Sequence, residues 1–258
     1  MCRLAAYIGP TLSLRHFLND PPHSLIKQSW APKEMQEAVL NADGFGIGWY
    51  TDEDKIATYK NVQPIWSDVN LDSLALSLSS RIWLANVRSA TPGQATSLEN
   101  TQPFVDDPVL YLHNGYIENF NPDIRARFHE YLTPAVQASI NGNTDSEYLF
   151  AIVRQQYATN NSGLDTILTK ALSDFTTLLG DGTALLNFIL CDGEKLYIVR
   201  HAINTQCPTL YYTSQEKTYP NAALVASECL TDPTCWQEVP EHSVLVLVAQ
   251  QDPEIVSL

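Results

Sequence analysis

The chain has 258 residues, 45% hydrophobic and 17% charged, which is enough apolar material for one sizeable core and too little charge for a disordered tail. Asp and Glu number 29 against 15 Lys and Arg, a formal net charge of -14 that repels phosphate backbones and argues against nucleic acid as a partner. No apolar run is long enough to span a bilayer and no basic stretch with an apolar core heads the chain, so a soluble, cytoplasmic protein without a membrane partner is expected.

Taken in chain order, residues 3–8 form a short apolar run stopped by Gly9-Pro10, the signature of a buried strand. Residues 13–40 carry short helical patterns broken at Pro21-Pro22 and Pro32. Two strands, 45–51 and 55–61, flank the polar turn Asp52-Glu53-Asp54. Val69, Leu71, Leu74, Leu76 and Leu78 predict a helix over 68–80 behind a Ser67 or Asp68 cap. Residues 82–88 and 109–116 read as strands, and 145–157 and 164–179 as helices, the second ended by Gly180-Asp181-Gly182. The remainder is strand-rich: 184–191, a hairpin turn at Asp192-Gly193, 195–201, 223–227 and 243–249. This order lacks strict strand–helix alternation, which favours antiparallel sheets with covering helices in a single domain.

Five cysteines, Cys2, Cys191, Cys207, Cys229 and Cys235, are odd in number and irregular in spacing, which argues against a disulfide framework. With no CxxC pair and no HExxH helix, no metal site is expected, and the last four read as small buried hydrophobes. Cys2 differs because of its position. Removal of Met1 leaves it with a free α-amine of pKa near ~8 beside a thiol near ~8.5, so one residue supplies a nucleophile and its own base.

Met1-Cys2-Arg3, Asn41-Ala42-Asp43-Gly44-Phe45-Gly46-Ile47-Gly48-Trp49-Tyr50, Val87-Arg88-Ser89-Ala90-Thr91, His113-Asn114-Gly115 and Thr144-Asp145-Ser146-Glu147 follow one another in that order. Together they resemble the class II glutamine amidotransferases. The resemblance covers roughly residues 2–160 by motif and the rest by strand pattern. It implies a single α+β domain over residues 2–258, built as a four-layered α/β/β/α N-terminal-nucleophile sandwich with two antiparallel sheets, and an amidohydrolase acting on a γ-glutamyl C–N bond.

Amide hydrolysis must stabilise the tetrahedral oxyanion. Asn114 offers a side-chain N–H and Gly115 an unobstructed backbone N–H, and the resemblance assigns both to that role. The plainer alternative is an Asn-Gly tight turn. A glutamyl group also carries an α-carboxylate and an α-ammonium. Arg88 suits the first through paired N–H bonds and Asp145 the second, against alternatives of a surface ion pair and an ordinary helix cap. Thr91 and His113 resemble residues lining the same pocket. Arg3 adjoins the nucleophile, but neighbours on a strand point to opposite faces. The Gly44–Gly48 stretch lacks the GxGxxG spacing and runs on as strand. Its bare backbone admits a ligand or nucleophile, or else a close strand crossing.

Cys2-Arg3, Pro21-Pro22-His23-Ser24-Leu25, Gln28-Ser29-Trp30-Ala31-Pro32, Pro64-Ile65-Trp66-Ser67-Asp68 and Ser227-Glu228 resemble the ergothioneine-biosynthesis branch, which removes glutamate from γ-glutamyl-hercynylcysteine sulfoxide. That substrate is a small molecule with a quaternary ammonium, for which Tyr7, Trp30, Tyr50 and Trp66 are candidate aromatics. The start is Cys-Arg rather than Cys-Gly, and Asn86 stands where relatives commonly carry His, so free glutamine is the less favoured substrate. The alternatives are an ammonia-donating subunit serving a separate synthase, since 258 residues leave no room for a fused one, and a non-catalytic binding module. The chemistry requires no cofactor.

Overall fold

The computed structural model, which describes residues 2–35, 40–91, 94–120, 122–160 and 162–258, is built around fourteen described strands. They are β1 (Arg3–Ser13), β2 (Phe45–Tyr50), β3 (Ile56–Asn61), β4 (Ser79–Val87), β5 (Phe104–Asp106), β6 (Val109–Ile117), β7 (Ala184–Cys191), β8 (Leu196–Arg200), β9 (Ala202–Ile203), β10 (Tyr211–Thr213), β11 (Ala223–Ala226), β12 (Gln237–Glu238), β13 (Ser243–Leu247) and β14 (Glu254–Ser257). One antiparallel sheet runs β12-β10-β11-β1-β4-β2-β3. The other runs β14-β13-β8-β7-β6-β5, with β9 paired to β7.

Three apolar cores show how these sheets are stacked. Leu4, Ala6 and Ile8 of β1 pack with Leu84 of β4, and with Leu110 and Leu112 of β6 and Ile189 of β7, so the sheets lie face to face. The intervening residues Ala5 and Tyr7 turn the other way, toward helices α1 (Leu14–Leu18), α2 (Leu25–Trp30) and α3 (Leu71–Ser77). On the far side, Tyr111 of β6 and Phe188 of β7 meet α4 (Pro122–Tyr131), α6 (Asp145–Thr159) and α7 (Leu164–Leu179). A short α5 (Pro134–Gln137) joins α4 to α6. The result is the four-layered α/β/β/α sandwich expected from the resemblance, and the period-2 alternation of β1 and β6 is what fills two cores from one strand.

Two expectations are corrected. The helix over 68–80 is broken: Ile65–Ser67 is a 3-10 turn, α3 spans only Leu71–Ser77, and Ser79 already belongs to β4. Asp68 is the cause, because its carboxylate accepts from the Asn70 N–H at 2.8 Å, the Tyr59 hydroxyl at 2.7 Å and the Asn61 side-chain amide at 2.7 Å. The supposed apolar stripe is not one face, since Val69 is 89% and Leu76 66% exposed. Second, the glycines of β2 admit a strand crossing. A Cβ on Gly46 would lie 1.9 Å from the Gln102 carbonyl oxygen, and one on Gly48 2.9 Å from Pro103. The bare face lets the segment before β5 press onto the first sheet.

Gly46→Ala is therefore expected to lower stability by about 1–3 kcal/mol through overpacking against backbone that has nowhere to go. Thermal unfolding measures it; an unchanged melting temperature would show that the crossing is looser than described.

Candidate active site

Cys2 stands at the head of β1, a central strand flanked by β11 and β4. Arg3 pairs with Val87 and Leu4 with Asn86, so the same register brings Cys2 opposite Arg88. Cys2 is half-buried, and its Sγ lies 3.7 Å from the Ser89 carbonyl oxygen. It has the parity of Leu4 and Ala6, the residues that face the inter-sheet space. Arg3, one position on, belongs to the opposite face.

Asn114 and Gly115 sit inside β6, not at a turn. Asn114 shares the face of Leu110 and Leu112 and looks across at the first sheet. Its side-chain amide donates to Ser227 Oγ at 3.0 Å, and the same oxygen accepts from the Leu4 N–H at 3.1 Å. One hydroxyl thus ties the Asn114 amide of β6 to the second residue past Cys2. The bond to Ser227 uses one of the two amide hydrogens.

The backbone of Gly115 is exposed by the shortness of β5, which pairs only with residues 109–111 of β6. Beyond that point side chains replace the missing strand. Gln102 grips His113 at both ends, accepting from its N–H at 2.6 Å and donating to its carbonyl at 3.0 Å. Asp145 accepts from the Ile117 N–H at 2.7 Å. Alternation along an antiparallel strand puts the Gly115 N–H on that same edge, between the two clamps. Glycine is needed there: a Cβ would lie 1.9 Å from the Leu185 carbonyl oxygen and 2.5 Å from the His113 ring.

Arg88 and Asp145 are both about 4% exposed, and among the described residues neither forms an ion pair. Among the described residues the Arg88 guanidinium donates to the carbonyls of Asp43 at 3.4 Å and Ala95 at 3.3 Å. Asp145 is not the helix cap. Thr144 is, accepting from the Glu147 N–H at 3.2 Å, which frees the Asp145 carboxylate for the N–H of Ile117, of Ser146 at 2.9 Å and the amide of Gln94 at 3.5 Å. A buried cation and a buried anion, each met among the described residues by neutral dipoles, call for ligand charges of opposite sign. Asp145 and Thr91 line one cavity of about 490 Å³ together with Gln94, Tyr116, Phe120 and Arg125.

His113 is not among them. It has the parity of Tyr111 and faces the helices, with Nδ1 2.8 Å from Ser146 Oγ and Nε2 3.0 Å from the Leu185 carbonyl oxygen. Burial lowers its pKa, so it is a neutral strut beneath Gly115. Of the candidate aromatics, Tyr7 and Tyr50 are core residues whose hydroxyls donate to the carbonyls of Pro10 and Pro108. Trp30 and Trp66 are each 44% exposed, and the Lys27 ammonium lies 3.6 Å over the Trp30 ring.

Behind Cys2 lies a buried ionic network. Arg3 donates through Nη1 to the Cys2 carbonyl at 3.2 Å and pairs through Nε with Glu228 at 2.9 Å. Glu228 also meets His23 Nε2 at 2.7 Å and accepts from the N–H groups of Lys33 at 2.9 Å and Glu34 at 3.1 Å. Gln102, Gln94 and Arg125 escaped sequence reasoning and leave no local signal. Glu228 was legible only as half of the Ser227-Glu228 pair.

Four layers with a cysteine heading a central strand and amide donors facing it define an N-terminal-nucleophile type of hydrolase fold. Residues 23–254 match the class-II glutamine amidotransferases, and the chain belongs to that family. It is 30% identical over 256 residues to a γ-glutamyl-hercynylcysteine sulfoxide hydrolase of Mycolicibacterium smegmatis, covering 99% of this chain and 98% of that one. A probable glutamine amidotransferase of Saccharomyces cerevisiae is 27% identical over 296 residues, covering 97% of this chain and 82% of the yeast protein. Among solved structures, a class-II domain protein from Silicibacter pomeroyi superposes with a TM-score of 0.71 at 22% identity over 99% of both chains. The glutamine phosphoribosylpyrophosphate amidotransferase of B. subtilis gives 0.66 at 17% identity, covering 99% of this chain and 49% of its own. These two likenesses concern the fold.

The ionic network has a pH signature. Burial works against ionisation of Glu228, but the contacts from His23, Lys33, Arg3 and Glu34 prevail and hold its pKa down from 4.5 to about 2. A depressed carboxylate contributes stability that is fully present above pH 4.5 and lost as pH falls through about 2. Glu228→Gln is expected to cost about 3–5 kcal/mol at neutral pH, because Arg3 is left buried without its counter-charge. The wild type should lose on the order of 3 kcal/mol more than the variant across that acid window. Urea unfolding at several pH values tests both, and parallel pH profiles for the two proteins would rule out the network as their source.

Proposed function

We propose that this chain hydrolyses the γ-glutamyl amide of γ-glutamyl-hercynylcysteine sulfoxide, with Cys2 as an N-terminal nucleophile released by loss of Met1. The observation that carries the reading is the joining of Leu4, two residues past Cys2, to Asn114 through Ser227: the hydroxyl that anchors Leu4 also holds the Asn114 amide against the same end of β1. Full-length 30% identity to hydrolases of that name supports the substrate.

Arg88 takes the α-carboxylate and Asp145 the α-ammonium of the glutamyl group, which sets its γ-carbonyl over the thiol. Thr91 closes the same cavity. The α-amine of Cys2 accepts the thiol proton as sulfur attacks, and the oxyanion is held by the Asn114 amide and the Gly115 N–H. Collapse of the intermediate breaks the C–N bond, and the α-ammonium returns the proton to the leaving amine. A water molecule, deprotonated by the same amine, then cleaves the thioester to glutamate and free thiol. His113 supports Gly115 from behind and makes no contact with substrate. In the second reading, favoured by the amidotransferase relative, the substrate is glutamine and the ammonia passes to a separate synthase.

Glutamate release from the sulfoxide conjugate and from glutamine, measured side by side, separates the two. The conjugate is expected to be turned over with the higher kcat/KM, and Cys2→Ala to abolish turnover while leaving thermal unfolding unchanged. Residual activity in Cys2→Ala would discard the nucleophile, whereas a preference for glutamine would discard the substrate alone. Asn114→Ala should lower kcat by about 10²- to 10³-fold with little change in KM, as loss of one oxyanion donor does elsewhere. A pure KM effect would reassign Asn114 to ground-state binding.

A further inference from the structure

Away from this site, where β8 ends, three metal-ligating side chains converge, and a further histidine stands beside one of them. Cys207 Sγ, a Glu241 carboxylate oxygen and a His242 ring nitrogen all lie within 4.8 Å of one another. His201 adds a fourth, its Nδ1 2.9 Å from His242 Nδ1. We propose that Cys207, Glu241, His242 and His201 form a structural site for a divalent cation of the zinc class.

The register explains the convergence. Ser243 of β13 pairs with Arg200 of β8, so His242 and His201 follow as cross-strand neighbours at the end of the ladder. Arg200 then positions the rest. Its Nε donates to the Pro208 carbonyl at 2.9 Å, which holds the Cys207 loop, and its Nη2 lies 3.4 Å from Glu241 Oε1. Cys207 itself is buried, whereas Glu241 and His242 are exposed, so the cluster has a closed floor and an open approach.

Two imidazole nitrogens directed at one another need either a proton between them or a shared cation. Tetrahedral zinc with Zn–N bonds of about 2.0–2.1 Å spaces two ligand nitrogens roughly 3.3 Å apart, close to the observed separation. One thiolate, two imidazoles and one carboxylate suit a borderline-soft ion and complete four-coordination. Binding displaces the Cys207 thiol proton to solvent. The ion would pin the Cys207 loop to β13. That loop continues into Thr209, whose hydroxyl donates to the Ser227 carbonyl at 3.0 Å, so the clamp stiffens the backbone behind the Asn114 anchor. No linear motif announces it, because its ligands are brought together only by the β8–β13 pairing.

The test uses the full chain carrying Cys2→Ala, so that the nucleophile's own thiol does not contribute, after metal removal with a chelator. Zinc titrated calorimetrically is expected to bind at one ion per chain and to raise the melting temperature. Cobalt should give a thiolate-to-metal charge-transfer band. Adding Cys207→Ser should abolish that band and weaken zinc binding at least about 100-fold, since even outer partners of a ligand are worth roughly 10- to 100-fold. His242→Gln, at an exposed position, should weaken it similarly and guards against a folding defect at buried Cys207. Absence of zinc binding to the Cys2→Ala chain, or undiminished affinity in either added variant, overturns the proposal.

Discussion

A guanidinium buried one residue from Cys2 has to be compensated where it stands, and Glu228 compensates it. Four groups converge on that carboxylate from three parts of the chain: Arg3, His23, and the backbone of Lys33 and Glu34. Since successive residues in an extended chain face opposite ways, fixing Arg3 behind the sheet fixes Cys2 in front of it. Fixing Glu228 likewise turns Ser227 toward the inter-sheet space, where it meets Asn114. A slip of β1 by one residue would send Arg3 into the apolar layer between the sheets and Cys2 toward the helices. An apolar pair of similar volume could serve stability as well as the ion pair does. It would tolerate that slip far better, and this is why a costly buried charge suits the strand that Cys2 heads.

The second constraint is an edge left open on purpose. A longer β5 would hydrogen-bond the whole of β6 and occupy the N–H of Gly115. Instead β5 stops early, and along the exposed edge Gln102 satisfies both backbone groups of His113 while Asp145 accepts from the Ile117 N–H. The Asp145 carboxylate therefore serves two ends: it closes the ladder at Ile117 and presents negative charge to the cavity. The Gly115 N–H and the Ile117 N–H that holds the Asp145 carboxylate are two residues apart on one rigid strand. Their spacing does not depend on a loop.

Much of this was legible in the chain because it is local. The alternating runs of β1, β6 and β7 and the hairpin at Asp192-Gly193, where Gly193 takes φ +92°, follow from side-chain period and turn chemistry. The helices α6 and α7 follow from their caps and apolar faces. The misread parts are non-local. Both faces of β6 are buried, so nothing in His113-Asn114-Gly115 says which residue looks inward and which meets a helix. The glycines of β2 signal a close approach without naming what approaches. The Asp68 knot that shortens α3 depends on Tyr59 and Asn61 from β3. Strands of two to four residues, such as β9, β12 and β14, are too short to show a period at all.

Charge complementarity at Arg88 and Asp145 would recognise any γ-glutamyl amide, so selection of the leaving amine has to reside elsewhere. A quaternary ammonium requires an open aromatic face. Tyr7 and Tyr50 cannot offer one, being locked in the apolar layers, and the Trp30 ring already carries the Lys27 ammonium. The cavity that Asp145 lines is also lined by the aromatics Tyr116, near the end of β6, and Phe120, just beyond it, and by Arg125. That arrangement puts Tyr116 and Phe120 in covalent continuity with Asn114 and Gly115. On the proposed mechanism, an amine that displaced this segment would also disturb the Asn114 and Gly115 donors, which would couple selectivity to kcat rather than to binding alone.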